Sequence, residues 1–225
     1  EYKAWLIEQY APASVNCMLA SLNRYLVFVG RSELKVKQVK MQRTLYRNES
    51  RDLTREEYEH LVATAQAMGR YRTALIIQTL AATGIRVSEL RFVTAQTVRE
   101  GRMVVSNKGK TRCVWLPEKL RRALLQWIDV HRVGNGPLFC SQSGKELDRV
   151  YIWREMKLVA QAAHIEASKV FPHNLRHLFA VAYYRQFHDL AALCDLLGHE
   201  RVETTRIYVA VTEQDRRKQL AALNL

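Results

Sequence analysis

Several things are scarce in this 225-residue chain, and each scarcity excludes a class of protein. Nine glycines and four prolines are too few for collagen or a flexible low-complexity chain, and 48% hydrophobic against 25% charged residues is too apolar for a disordered one. No stretch approaches the ~20 apolar residues that crossing a bilayer requires, and no basic start leads into an apolar segment with a small-residue cleavage site. A soluble, intracellular protein is expected. The four cysteines, Cys17, Cys113, Cys140 and Cys194, stand far apart with no CxxC pair. That spacing argues against a zinc knuckle and a disulfide-stapled secreted fold, and leaves them as small buried hydrophobes. Acidic residues are also in short supply: 22 face 35 lysines and arginines, a formal charge of +13. Such a surface attracts nucleic acid, anionic lipid or another polyanion. The length suits one large domain or one with a small appendage. Because the chain begins at Glu1 and not at Met, a preceding N-terminal portion is expected.

The basic charge is clustered. Arg31, Lys35, Lys37, Lys40, Arg43, Arg47 and Arg51 face only Glu33 and Glu49 over the same segment, and Arg99, Arg102, Lys108, Lys110 and Arg112 form a second group. Two separated patches suit an extended polyanion better than a small anion. Residues 1 to about 29 read as two short amphipathic helices, the first marked by Trp5 and Leu6, the second by Val15, Leu19, Leu22, Leu26 and Val29 and stopped by Gly30. From Arg31 the apolar residues thin out and no core periodicity persists. The organisation is therefore a helical N-terminal domain over 1–42, a basic linker over 43–52 and a larger domain over 53–225.

Thr54 and Glu57 form a Thr-x-x-Glu capping box at the start of the larger domain. Ala74 to Ala82 supplies a strongly apolar helix ended by Gly84. Met103–Val105 and Cys113–Leu116 are β-prone runs flanking a turn around Lys108, Gly109 and Lys110. Helical period returns at Leu120, Leu124, Trp127 and Ile128, and further helices fit about 148–163, 173–186, 189–197 and 204–208, with one more near the C-terminus. The fold class is mainly α with a small β-hairpin.

On the helix over 173–186, Leu175, Leu178, Phe179 and Ala182 make one apolar stripe, with His173, Arg176 and His177 on the other side. Taken alone, that side is a solvated polar face. His173 and His177 have metal-ligand spacing, but no adjacent Glu or cysteine cluster completes a zinc site, and no metal is expected. Arg86 follows Gly84-Ile85, and Ser88 with Glu89 opens a further helix. A helix start and an arginine fork both complement phosphate, and Glu89 can orient a neighbouring cation. Gly198 leaves His199 projecting from a tight turn, and Tyr208 follows on a later short helix.

In their order along the chain these features are more specific than any of them singly. The segments Ala82-Thr83-Gly84-Ile85-Arg86-Val87-Ser88-Glu89-Leu90, Asn107-Lys108-Gly109-Lys110-Thr111-Arg112, His173-Asn174-Leu175-Arg176-His177, Leu196-Leu197-Gly198-His199 and Thr204-Thr205-Arg206-Ile207-Tyr208 resemble the tyrosine recombinase, or phage integrase, family. The resemblance spans nearly all of 53–225, and residues 1–42 resemble part of the family's SAM-like core-binding domain. It implies that Arg86 and Arg176 hold the scissile phosphate and that Lys108 protonates the departing 5′ oxygen, with Lys110 as a competitor for that role. His173 would be the general acid/base, His199 a phosphate hydrogen-bond donor, Tyr208 the nucleophile of a 3′-phosphotyrosyl link, and Glu89 a brace. Residues 206–209 depart modestly from the commonest family wording, with the tyrosine in register.

The implied chemistry is physically coherent. Two arginine forks stabilise charge on the non-bridging oxygens without a metal, and a phosphotyrosine conserves the energy of the broken phosphodiester, so no cofactor or ATP is needed. Tyr184 lies eleven residues along the helix from His173, roughly 16 Å at the α-helical rise, too far to share its phosphate. The implied partners are double-stranded DNA, bound through Arg31, Lys35, Lys37, Lys40, Arg43, Arg47, Arg51, Lys110 and Arg112, and three further copies in a synaptic tetramer with C-terminal tail exchange. An accessory directionality factor and a bacterial, nucleoid-associated location complete the expectation. Integration or excision of a mobile element is preferred to chromosome-dimer resolution. The rivals are a non-catalytic DNA-binding protein and a type IB topoisomerase-like enzyme.

Overall fold

The computed structural model describes residues 1–40, 52–107, 109–141, 143–199, 202–206 and 221–222, with the backbone alone at Asn107, Lys110, Glu203 and Arg206. The chain divides into two compact units, Glu1–Leu45 and Tyr46–Leu225. Among the described residues no helix is long and apolar enough to cross a membrane.

In the smaller unit, α1 (Tyr2–Gln9) and α2 (Pro12–Phe28) enclose a core of Leu6, Val15 and Leu19. Pro12 sits at the start of α2, where its fixed φ suits the first turn and its missing N–H costs nothing. Of the expected stripe, Leu22 and Leu26 are half-buried and Val29 is exposed. The segment after Gly30 corrects the reading that core periodicity ends at Arg31, because Val36 and Val39 pack against this core. Asn23 donates to the Val36 carbonyl at 2.9 Å and accepts from its N–H at 2.8 Å, and Asn16 does the same for Val39 at 3.0 and 2.7 Å. The two asparagines lie seven residues apart, two helical turns, and so share one face of α2. Each imitates a strand neighbour for an extended backbone that has none among the described residues.

The larger unit is built around α4 (Tyr71–Thr83), buried at Thr73, Ala74, Leu75, Ile76, Ile77, Thr79, Leu80 and Thr83. Each large aliphatic side chain enclosed there contributes about 1.5–3 kcal/mol. Its buried hydroxyls bond back into the helix, Thr79 to the Leu75 carbonyl at 2.7 Å and Thr83 to that of Thr79 at 2.6 Å, so neither is left unsatisfied. Helix α3 (Arg55–Ala67) opens on the reciprocal Thr54–Glu57 capping box. A six-residue 3-10 helix (Val87–Phe92) and α5 (Ala95–Glu100) lead into an antiparallel hairpin, β1 (Arg102–Asn107) and β2 (Lys110–Trp115), in which Val105 opposes Arg112. Then follow α6 (Glu118–His131), α7 (Arg149–Ala162), α8 (Pro172–Phe187), α9 (Leu190–Leu197) and α10 (Val202–Arg206). Helices α3, α6, α7 and α8 pack around α4.

Two further expectations change. Cys17 and Cys113 are exposed and only Cys194 is buried, because 17 and 113 fall on outward faces of α2 and β2. The polar side of helix α8 is solvated only in part: His173 is exposed, but Arg176 is buried and His177 half-buried, whereas Ala182 of the expected apolar stripe is exposed. Both α4 and α9 pack against the helix, and a single amphipathic stripe does not describe that.

Candidate active site

The site is assembled at three helix ends. Helix α4 stops at Gly84, whose φ of +63° suits a residue without Cβ, and a Cβ there would come within 2.4 Å of the Phe179 ring. This close approach of α4 to α8 lets Arg176 donate to the Gly84 carbonyl at 2.6 Å. Arg176 is 2% exposed. Its other terminal nitrogen donates to the Leu197 carbonyl at the end of α9, at 2.6 Å, and to His199 Nε2 at 2.9 Å. A buried guanidinium thus satisfies orphan carbonyls at two helix C-termini, where positive charge is favoured.

His199 follows the left-handed Gly198 (φ +63°) and is held between Arg176 and Thr205. A guanidinium can only donate, so His199 Nε2 is the acceptor, and Nδ1 carries the hydrogen that points to Thr205 Oγ1 at 2.8 Å. Desolvation, followed by the charges of Arg176, Arg86 and Arg112 and the neighbouring His173, pushes its pKa down to about 4. The ring is therefore neutral at neutral pH in this arrangement and accepts from Arg176. Thr205, fully buried on α10, is a member of the site that sequence reasoning missed. Its position three residues before Tyr208 was the available signal.

Arg86 caps the 3-10 helix from outside it. Glu89, 1% exposed, accepts from the Arg86 backbone N–H at 2.8 Å and from its Nη1 at 3.1 Å. The same carboxylate accepts Arg112 Nη1 at 3.1 Å and Nη2 at 2.7 Å. Burial acts to raise the Glu89 pKa, but the hydrogen bonds from Arg112 and Arg86 and their charges outweigh it and hold the carboxyl below its ordinary value. Arg112 was expected among the DNA-contacting cations; instead its side chain is only 12% exposed and turned inward, its Nε donating to the Leu196 carbonyl at 3.0 Å. Position 112 points to the interior because it opposes the buried Val105 on the packed face of the hairpin.

Arg86, His173 and Arg176 line one cavity of about 530 Å³, together with Arg149 and an apolar wall that includes Trp153 and Phe171. His173 stands in the first turn of α8, and desolvation followed by the charges of Arg176 and Arg86 lowers its pKa. Nothing in the sequence had marked Arg149 or Trp153. His177, the residue of α8 after Arg176, pairs with Asp52 at 3.2 Å. Among the described residues no group of three or more His, Cys, Asp or Glu side chains is placed to hold a metal ion. Lys108 and Tyr208 lie outside the described residues, as do Arg43, Arg47 and Arg51, and of Lys110 the backbone alone is described. Arg31, Lys35, Lys37 and Lys40 are exposed on the smaller unit, Arg31 paired with Glu33 at 2.7 Å.

A cavity lined by three arginines and one imidazole, with Arg176 held by carbonyls and Arg86 by a buried carboxylate, can hold an oxyanion and stabilise charge that grows on it. Comparison with known proteins agrees. The chain matches the phage integrase family over residues 51–215. It is 31% identical to the tyrosine recombinase XerD of Vibrio cholerae serotype O1, over 98% of this chain and 78% of that protein. Among solved structures it resembles that of XerA recombinase, with a TM-score of 0.67 and 25% identity over all of this chain and 81% of the other. The XerH recombinase in a post-cleavage complex with palindromic difH substrate has the same fold, with a TM-score of 0.76 at 24% identity over all of this chain and 71% of that one.

Proposed function

The chain belongs to the phage integrase family, the tyrosine recombinases, and from that premise we propose that its cavity cleaves and rejoins duplex DNA at a specific site. One observation carries the assignment: Arg86, His173 and Arg176 line one cavity, and His199 is hydrogen-bonded to Arg176. In the proposed reaction the Tyr208 oxygen attacks the phosphorus in line with the 5′ oxygen. The P–O5′ bond breaks, a 3′-phosphotyrosyl bond forms, and Lys108 gives the 5′ oxygen its proton. Tyrosine titrates near ~10, so its proton needs an acceptor, and His173, kept neutral by its surroundings, is that base. Arg86 and Arg176 neutralise the non-bridging oxygens. Attack by a 5′-hydroxyl from a second duplex reverses the step without an external energy source.

Four strand cuts are needed to exchange two duplexes, which supports a synaptic tetramer; exchange of the tail beyond Tyr208 between copies and an accessory directionality factor extend the same reading. So does a place in the bacterial cytoplasm beside the nucleoid. A mobile-element role is the finer part of the proposal. The phosphate chemistry is the same whether the joined sites belong to an element or to a chromosome, and sequencing the DNA attached to trapped protein distinguishes them.

The test is a nicked suicide duplex incubated with the protein in chelator. A covalent protein–DNA product is expected from the native chain and none from Tyr208→Phe, with duplex binding retained. Adducts persisting in that variant would refute the nucleophile, binding without any adduct would favour the non-catalytic rival, and relaxation of supercoils without exchange would favour the topoisomerase.

A further inference from the structure

We propose that Arg112 is a positioning residue for strand cleavage, a rigid strut that sets Arg86 and the His199 turn at one separation. The inference rests on the cleavage reading above. Its side chain leaves β2 and joins two segments far apart in sequence. The terminal nitrogens hold both oxygens of Glu89, at 3.1 and 2.7 Å, and that carboxylate in turn fixes the backbone and guanidinium of Arg86. Its Nε holds the Leu196 carbonyl at 3.0 Å, three residues before His199. The turn is packed on the side chain as well, since a Cβ on Gly198 would lie 3.0 Å from Arg112 Cδ and Nη1.

The geometry requires a fork. A guanidinium presents donors in fixed coplanar directions, so one side chain can grip a carboxylate at one end and a carbonyl along its flank. A lysine ammonium is a point donor and cannot hold both at these separations. Arg112 also lies four residues beyond Lys108. The strut therefore ties the strand leaving the hairpin turn to both phosphate-binding segments. Among the described residues, the charged and titratable groups that act on His199 are Arg176 and His173 from α8, Arg86 before the 3-10 helix, and Arg112 from β2.

The variants Arg112→Lys and Arg112→Gln test this in the full chain, with adduct formation on a saturating nicked duplex, DNA affinity against salt, and the His199 titration by NMR on histidine-labelled protein. The strut predicts cleavage slowed at least tenfold in both variants, duplex Kd within twofold of wild type, an unchanged salt slope, and a His199 midpoint moved upward in Arg112→Gln. It also predicts that adding Glu89→Gln to Arg112→Gln costs little more cleavage. Wild-type cleavage in either variant overturns the proposal. So does a salt slope smaller by about 0.9 with the rate restored at saturating DNA, the signature of a direct phosphate contact. Should Arg112→Gln fail to fold, Arg112→Lys alone decides, since a fully active lysine variant means no fork is needed. If the wild-type chain forms no adduct, the cleavage reading fails instead, and the His199 midpoint in the variants still decides whether Arg112 sets that turn.

Discussion

His199 illustrates how a residue's surroundings choose its chemical form. Its ordinary value near 6.5 falls to about 4 because the ring is desolvated and ringed by positive charge. In the unfolded chain the same ring titrates at its ordinary value, so on acidification from pH 6.5 toward 4 the unfolded state takes up a proton that the folded state refuses. The His199 contribution to stability is thus complete above 6.5 and is lost as pH falls through that window. Thermal unfolding of wild type and His199→Asn should show a difference in Tm that narrows as pH is lowered from 7 to 4.5. A difference independent of pH would mean the ring is not held neutral. Glu89 is the opposite case, a buried carboxylate with two cationic partners. Removing its charge by Glu89→Gln leaves Arg86 and Arg112 without their counter-ion, an expected cost of about 3–5 kcal/mol in urea unfolding because a desolvated charge without a partner is the costly state. The residue types at 86, 89, 173, 176 and 199 were legible from the chain. Which of them is acceptor, donor or brace was not, because that depends on neighbours up to 92 residues away, as in the Arg176–Gly84 contact.

At the scale of elements, local signals identified most boundaries. Thr54 with Glu57, Gly84 and Gly198 act within one turn of the backbone, so their effect is readable without tertiary context. What local signals missed was burial. The polar side of α8 appears solvated on a helical wheel, yet Arg176 lies deeper than Leu178, because the ends of α4 and α9 converge on it. Likewise Val36 and Val39 look like stray apolar residues in a basic run until Asn16 and Asn23 pair with their backbone. The α4–α8 contact supplies a direct test. Gly84→Ala places a Cβ against the Phe179 ring and forces a left-handed alanine, which costs about 1–2 kcal/mol from the backbone alone. A loss larger than that is expected in chemical denaturation, together with a fall in cleavage as the Arg176 anchor shifts. An unchanged midpoint would show that the two helices can separate freely.

Across the whole molecule the excess of +13 is the property that composition states most directly. Duplex affinity should fall with salt at a log–log slope of roughly −0.9 per neutralised phosphate, and replacing Lys35, Lys37 and Lys40 together by Gln should reduce that slope by roughly 2.7 if each meets one phosphate. Arg31 is left out of this set because it is paired with Glu33 at 2.7 Å, so its replacement would also release a carboxylate. A slope unaffected by the triple change would move the DNA path away from that face. The chain alone determined the family, the helical class and the hairpin, and it nominated the candidate phosphate-holding side chains, since capping, periodicity and motif order are written in neighbouring residues. Only the tertiary structure decided that Arg112 faces inward, that Thr205 orients His199 and that Arg176 is buried between two helix ends. Those outcomes are set by which distant carbonyls and carboxylates meet each donor, and a linear pattern contains no term for that.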